Sequence, residues 1–193
     1  SMLQQEQAKQ CIILGHSMGG YIALAFAEKY PSLVKAFGLL HSTAFADSDE
    51  KKQNRLRGME MMRTYGGYHF IKTTTPNLFS AAFKAAQTEK VAALIEEGKA
   101  FTVEALQQYY GAMMHRPDRT HVLANAKVPV LFIMGVEDVA APVNDVLQQV
   151  HLPEIAYIHI LENVGHMGMW EDEKQFNAAV LRFIREAGNE LYS

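Results

Sequence analysis

A serine between glycines stands close to the start of this sequence, in the pentapeptide Gly15-His16-Ser17-Met18-Gly19. The apolar residues 11–14 before it predict a buried strand, and the good helix formers of residues 18–30 after it predict a helix. Small residues around the serine permit a very tight turn between these two elements. A serine held on such a turn projects its oxygen above the end of the strand, where it can act as a nucleophile.

The predicted helix after the serine offers a second chemical feature. Its first turn carries backbone N–H groups without helical acceptors and the positive end of the helix dipole. The N–H of Met18 is therefore a candidate donor to an oxyanion that develops during attack by Ser17. The alternative is a glycine-rich turn whose serine has no chemical task, because a five-residue pattern can occur by chance.

A nucleophilic serine needs a base, and the base needs a group that orients it. Residues 128–134 predict a second buried strand, which Asp138 follows, and residues 155–161 predict another, which His166 follows. Parallel strands would bring residues in such positions to one edge of a sheet, beside Ser17. The order serine, acid, histidine is the order typical of this kind of serine motif.

These motifs together resemble those of the α/β-hydrolase family over most of the chain. The matching residues are the run 15–20, the acid turn Gly135-x-x-Asp138 with Pro142 after it, and Gly165-His166 with Glu171 beyond. The resemblance implies that Ser17 is the nucleophile, His166 the general base and Asp138 the residue that orients the base. Two alternatives stay open: Asp138 is a turn acid with Glu137 in its place, or His166 is a loop histidine without a task.

Four further side chains are predicted to contact substrate: His16, His41, Met113 and Met167. His16 occupies the variable position of the serine motif, where a packing role is the alternative. His41 ends the predicted strand 35–41 and either lines the pocket or is structural. Met113 belongs to a group of methionines that either pack helices together or form an adaptable apolar surface for acyl or aromatic groups. The other histidines lack the spacing of metal ligands, so we expect neither a metal nor a cofactor.

Strands and helices alternate along most of the chain, which predicts an α/β fold with a parallel sheet covered on both faces. The predicted strands are 10–16, 35–41, 128–134 and 155–161, and the predicted helices between and after them are 18–30, 142–150 and 171–187. Residues 42–119 have no strand signal and predict several helices. We therefore expect a core of residues 1–41 and 120–193, the C-terminal portion of an α/β-hydrolase fold, and a helical cap of residues 42–119, since family members carry such a lid at this point.

The composition excludes several classes of protein. With 193 residues, 49% of them hydrophobic, the chain can bury one core. A net charge of −3 gives no basic surface for nucleic acid, and no apolar run is long enough to cross a membrane. A single cysteine excludes an internal disulfide framework and fits a cytoplasmic location.

Family members usually carry several strands and two helices before the serine, with a turn that supplies a second oxyanion donor. Here only residues 1–10 precede the apolar run, so we expect that donor to be absent from this chain. The chain is then truncated or proteolysed, completed by another polypeptide, or paired with a second copy. We expect a truncated chain that forms a homo-oligomer through the exposed edge of strand 10–16.

The predicted function is hydrolysis of carboxylic esters or related small acyl substrates through an acyl-enzyme. We expect the isolated chain to be impaired, because loss of one oxyanion donor typically costs about 10²–10³ in rate. Two alternatives remain. One is a lyase or carbon–carbon bond hydrolase that uses the same three residues, and the other is a non-catalytic binding or assembly module.

Overall fold

A four-stranded parallel sheet forms the centre of the computed structural model, which describes residues 9–188. Its strands, in spatial order, are β1 (Cys11–His16), β2 (Val34–Leu40), β3 (Val130–Gly135) and β4 (Ala156–Leu161). Every neighbouring pair is parallel. The four predicted strands and the α/β class are confirmed, with ends shifted by one or two residues. The largest shift is at β3, which begins only after Pro129, a residue that has no N–H to give to a sheet.

Ten α-helices surround the sheet within residues 9–188. They are α1 (Met18–Lys29), α2 (Asp49–Tyr65), α3 (Gly67–Thr74), α4 (Ala81–Ala86), α5 (Thr88–Glu97), α6 (Val103–His115), α7 (Thr120–Ala124), α8 (Val143–Leu147), α9 (Gly168–Glu171) and α10 (Glu173–Gly188). Short 3₁₀ turns occupy Pro31–Leu33, Thr75–Leu78 and Gly98–Ala100. Crossing a membrane requires more length and apolarity than any helix in this part of the chain has.

Between β2 and β3 the described chain is helical, from α2 to α7, as the sequence predicted. Ser48 caps α2 by accepting the N–H of Lys51, and Thr102 caps α6 by accepting that of Ala105. Gly66 ends α2 with a φ of 89°, which a glycine adopts without strain. Gly67 begins the next helix, α3.

Two predicted helices have different bounds in the structure. The helix predicted at 142–150 is confined to α8, which ends at Leu147. The helix predicted at 171–187 begins later, at Glu173, because the chain turns at Asp172 between α9 and α10.

The sheet buries both of its faces, which confirms the layered arrangement expected from the sequence. Alternate residues of β3 point to opposite sides. Phe132 packs with α1, α7 and α8 on one face, in a cluster that includes Leu24, Leu123 and Val146. Ile133 packs on the other face against α10, in a cluster that includes Phe176, Ala179 and Phe183. Burial on both faces fixes the strand ends relative to one another.

A buried ion cluster anchors the first inserted helix. The carboxylate of Asp47, fully buried, accepts hydrogen bonds from Arg55 of α2 and from Arg116, whose Nη1 lies 2.7 Å away. Burial alone would raise the pKa of Asp47, but the two guanidinium groups hold it below its usual range. The charged pairs therefore join both ends of the helical segment to each other.

β1 pairs with β2 alone within residues 9–188, so it forms one edge of the sheet in this part of the chain. β4 forms the other edge, where Ile158 and Ile160 are exposed. The β1–α1 turn lies at the end of the edge strand and contains the serine motif.

That turn depends on a close backbone approach at Gly15. A Cβ at Gly15 would overlap the backbone of Gly19 and Gly20, whereas a Cβ at Gly19 would meet no atom within 4 Å. Of these two glycines, only Gly15 therefore needs to be small. Gly15 permits the turn, while Gly19 only occupies the first turn of α1.

We predict that Gly15→Ala lowers the free energy of unfolding by about 3 kcal/mol or more, since rigid backbone cannot yield to the added methyl group. The matched control Gly19→Ala should change it by less than about 1 kcal/mol. Urea denaturation of both variants measures the difference. Equal losses in the two variants would contradict the role of Gly15.

Candidate active site

Three loops at the carboxyl edge of the sheet carry the predicted site residues. Ser17 follows β1 directly, Asp138 lies three residues after β3, and His166 lies five residues after β4. Backbone strain occurs at the same edge. The non-glycine residues with positive φ in the described chain are Ser17 (52°), His41 (49°) and Asn163 (57°), and each follows a strand. Such conformations cost about 1–3 kcal/mol and persist only where the surroundings enforce them.

Ser17 is held by hydrogen bonds to residues at the end of β2 and just after it. The N–H of Ser17 donates to the carbonyl of Leu40 at 2.9 Å. Its own carbonyl accepts the Ser42 hydroxyl at 2.7 Å and the N–H of Gly20 at 3.0 Å. These bonds use the backbone of Ser17 and leave its hydroxyl unconstrained at the beginning of α1.

Asp138 and His166 are in direct contact. The Nδ1 of His166 lies 2.8 Å from Oδ2 of Asp138, and both residues are buried. The other carboxylate oxygen, Oδ1, accepts the backbone N–H groups of Ala140 and Ala141, each at 2.8 Å. Burial would raise the pKa of Asp138, but hydrogen bonds from His166 and His41 outweigh it and hold the pKa well below its usual range. Asp138 is therefore ionised at neutral pH, and the proton of His166 resides on Nδ1.

Glu137, the alternative acid, faces elsewhere. Its carboxylate accepts the N–H of Ala81 at 3.3 Å, in the helical segment between β2 and β3. Asp138 is thus the acid beside His166. No hydrogen bond joins His166 to the hydroxyl of Ser17 within residues 9–188. Hydrogen bonds of this kind are often long without substrate and tighten when substrate binds.

Glu171 brackets the loop that carries His166. Its Oε1 accepts the N–H of Gly165 at 3.0 Å and that of Met167 at 3.1 Å, on either side of the histidine. Its Oε2 accepts the N–H of Ser80 at 2.8 Å. One carboxylate therefore fixes the histidine loop and joins it to the helical segment. The sequence matched Glu171 to the family pattern but gave no sign of this role.

The helical segment also contacts His166 itself. The N–H of His166 donates to the carbonyl of Leu78 at 2.7 Å. Together with the bonds from Ser80 and Ala81, this makes residues 78–81 a direct support for both the histidine and the acid loops. A displacement of these residues would displace His166.

His16 serves the same loop from the opposite side. Its Nε2 lies 2.8 Å from the carbonyl oxygen of His166, to which it donates. Burial lowers the pKa of His16 to about 4, so its ring is neutral at physiological pH. Nε2 of His16 is occupied by this hydrogen bond. The packing alternative for His16 therefore becomes a defined role, in which His16 positions the backbone of His166. Contact with substrate stays a prediction.

His41 contacts the same carboxylate as His166. Its side chain is fully buried, and its Nδ1 lies 3.2 Å from Oδ2 of Asp138, the oxygen that also accepts from His166. Its ring has no exposed surface, which favours the structural alternative for His41, and contact with substrate stays a prediction. Met113 on α6 and Met167 beside His166 are half-buried, and their contact with substrate stays a prediction.

His41, Asp138 and His166 also bring three possible metal-ligand atoms within 4.8 Å of one another. Both histidines face the carboxylate through Nδ1 at hydrogen-bond distance. A proton on each Nδ1 accounts for this geometry, and a metal would have to displace both protons. The arrangement is therefore that of a hydrogen-bonded carboxylate.

The pKa of His16 predicts a pH dependence of stability. Between about pH 6.5 and 4 the unfolded state binds a proton at this residue and the folded state does not, so stability falls as the pH falls through this window. We predict that wild type loses about 3 kcal/mol more than His16→Gln, whose amide retains a donor near the position of Nε2. Urea denaturation at the two ends of the window measures this. Parallel losses in both proteins would contradict the assignment.

Comparison with known proteins supports the architecture. The chain is 26% identical over 178 residues to a 2-hydroxy-6-oxononadienedioate/2-hydroxy-6-oxononatrienedioate hydrolase of Burkholderia vietnamiensis, covering 90% of this chain and 62% of the relative. It is 28% identical over 186 residues to Lipase 1 of Psychrobacter immobilis, covering 90% of this chain and 56% of the relative. These relatives are hydrolases, and the chain spans about three-fifths of their length.

A solved structure, that of a thermophilic esterase from Thermogutta terrifontis with malate bound, has the same fold with a TM-score of 0.88. The likeness covers 96% of this chain and 68% of the esterase at 24% identity. The model of the alpha/beta hydrolase family matches residues 1–179, which include the serine turn, both later loops and all four strands. The chain therefore belongs to the alpha/beta hydrolase family.

Proposed function

We propose that this chain is a serine hydrolase of carboxylic esters or related small acyl substrates, with Ser17, His166 and Asp138 as its catalytic triad. The observation that carries the proposal is the 2.8 Å hydrogen bond between His166 and Asp138 at the sheet edge where Ser17 sits on a strained turn. An ionised acid, a histidine protonated on Nδ1 and a serine on a turn are the parts that acyl transfer requires.

In the proposed reaction, Oγ of Ser17 attacks the carbonyl carbon while Nε2 of His166 accepts the hydroxyl proton. The carbonyl oxygen becomes an oxyanion, to which the backbone N–H of Met18 donates at the beginning of α1. His166 then returns the proton to the leaving alcohol, and an acyl-serine remains. Water repeats the sequence, with His166 accepting its proton and returning it to Ser17, and releases the acid.

Asp138 has an electrostatic role in this proposal. Its charge stabilises the imidazolium that His166 becomes, and its hydrogen bond keeps Nε2 directed toward the serine. Backbone donors from Ala140 and Ala141 hold the carboxylate in place while the charge of its partner changes.

Residues 42–119 are proposed to act as a cap over this site, on a core formed by residues 1–41 and 120–193. The bonds from residues 78–81 to the two catalytic loops support this division. Met113 and Met167 are proposed to contact the acyl group. Pairing of two copies along the free edge of β1, and a location in the cytoplasm, stay predictions.

A second candidate is hydrolysis of a carbon–carbon bond by the same three residues. The relative from Burkholderia vietnamiensis, a hydrolase of 2-hydroxy-6-oxononadienedioate, favours it. The ester reaction is the simpler assignment, because it requires no group beyond the triad and an oxyanion donor.

The proposed function predicts that Ser17→Ala abolishes hydrolysis of short p-nitrophenyl esters, with a rate at least about 10³-fold below wild type, since the nucleophile is lost. Initial rates of both proteins at equal concentration measure this. His159→Phe on β4, a loss of histidine remote from the serine turn, is the control and should retain the wild-type rate. Full activity of Ser17→Ala would contradict the proposed function.

A further inference from the structure

His41 is a buried histidine that the proposed triad does not use. It lies directly after β2 with a φ of 49°, and its N–H donates to the carbonyl of Ile133 in β3 at 2.7 Å. This position directs the ring beneath the catalytic loops. Its Nδ1 lies 3.2 Å from Oδ2 of Asp138, which is the oxygen that His166 contacts at 2.8 Å. Two imidazoles therefore share one carboxylate oxygen.

The other nitrogen of His41 is left without a partner. Within residues 9–188, Nε2 of His41 is the one buried side-chain nitrogen or oxygen that makes no hydrogen bond. Gly168 lies against it so closely that a Cβ there would overlap the nitrogen. An unsatisfied buried polar atom costs about 1–3 kcal/mol and calls for a reason. A phenylalanine of similar shape would avoid this cost, so the useful part of the His41 ring is its Nδ1–H.

The surroundings of the His41 ring determine which of its nitrogens has a hydrogen-bond partner. The titratable groups around its ring are Asp138, His16 and His166, and the last two have ring centroids 5.9 Å from its own. The ring of Phe176 also stacks on it, with an interplanar angle of 10°. Donation to the carboxylate requires a proton on Nδ1, and a second proton on Nε2 would have no acceptor. The Nδ1–H of His41 is therefore directed at Asp138.

We propose that His41 is a positioning residue for the hydrolytic reaction: it holds Oδ2 of Asp138 against His166 and moderates the charge that His166 experiences. The inference rests on the proposed function, in which Asp138 orients the base. With His41 in place the carboxylate accepts four hydrogen bonds, two on each oxygen. A carboxylate held on both oxygens cannot rotate away from His166.

Removal of the Nδ1–H has two consequences. The carboxylate loses one of the two donors on Oδ2, so its orientation toward His166 becomes less defined and the reaction slows. The negative charge on Oδ2 is also less neutralised, so the protonated form of His166 is stabilised more strongly. The acidic limb of the rate profile then moves to higher pH, because His166 must lose its proton to act as a base.

The test is the second-order rate of labelling of Ser17 by a fluorophosphonate probe, measured against pH with the 193-residue chain. His41→Phe should react about ten- to a hundredfold more slowly, the effect of one hydrogen bond to a charged group, with its acidic midpoint at higher pH. His41→Asn is the matched rescue, since its amide nitrogen lies near the position of Nδ1 and asparagine tolerates positive φ. His159→Phe controls for loss of a histidine elsewhere in the sheet.

The proposal requires that His41→Asn recover most of the rate and the wild-type midpoint. It is overturned if His41→Phe reacts like wild type, or if His41→Asn is as slow as His41→Phe, because a structural role in filling space would not depend on the donor.

A second measurement uses wild-type protein and does not depend on the folding of a variant. In wild-type protein with ¹⁵N-labelled histidine, two imidazole N–H protons bonded to a carboxylate should resonate at low field, one from His166 and one from His41. A single such resonance in protein whose Ser17 is labelled overturns the role of His41 and leaves the proposed function intact. Two resonances in protein whose Ser17 never reacts would instead overturn the proposed function, and this inference with it.

Discussion

The rest of the site depends on the hydrogen bonds that the buried carboxylate of Asp138 accepts. A charge in the interior is stable only when hydrogen bonds replace the water it has lost. Asp138 obtains them from the backbone of Ala140 and Ala141 on one oxygen and from His166 and His41 on the other. The same bonds that make the charge tolerable also determine the orientation of His166. The hydrogen bonds that stabilise the buried charge of Asp138 are therefore the same ones that align His166.

The sheet and the helical segment both serve this arrangement. Burial on two faces fixes the strand ends, so that residues distant in sequence meet above one edge. Residues 78–81 then support the histidine loop through Leu78 and through the carboxylate of Glu171. His16 supports the carbonyl of His166 from the serine turn. His166 is therefore held in place by the core, the serine turn and the helical segment together. A movement of the helical segment would displace His166.

The sequence predicted the features that depend on local patterns. Apolar runs located all four strands, and the residues after them located Ser17, Asp138 and His166 at one edge, because parallel strands end on the same side. The bounds of two helices were less accurate, since α8 ends at Leu147 and α10 begins at Glu173. The role of His41 could not be predicted, because it depends on how the end of β2 lies beside β3, and no single segment of sequence encodes that register.

The role of Asp138 is tested most directly by the rate at which Ser17 reacts in Asp138→Asn. An amide in place of the carboxylate would donate as well as accept, and it would favour the wrong tautomer of His166. The adduct of a fluorophosphonate probe can be located by peptide mass spectrometry and its rate of formation compared with wild type. We predict an adduct on Ser17 in wild type and a rate about three to four orders of magnitude lower in Asp138→Asn. An equal rate in the two proteins, or an adduct on a residue other than Ser17, would contradict this prediction.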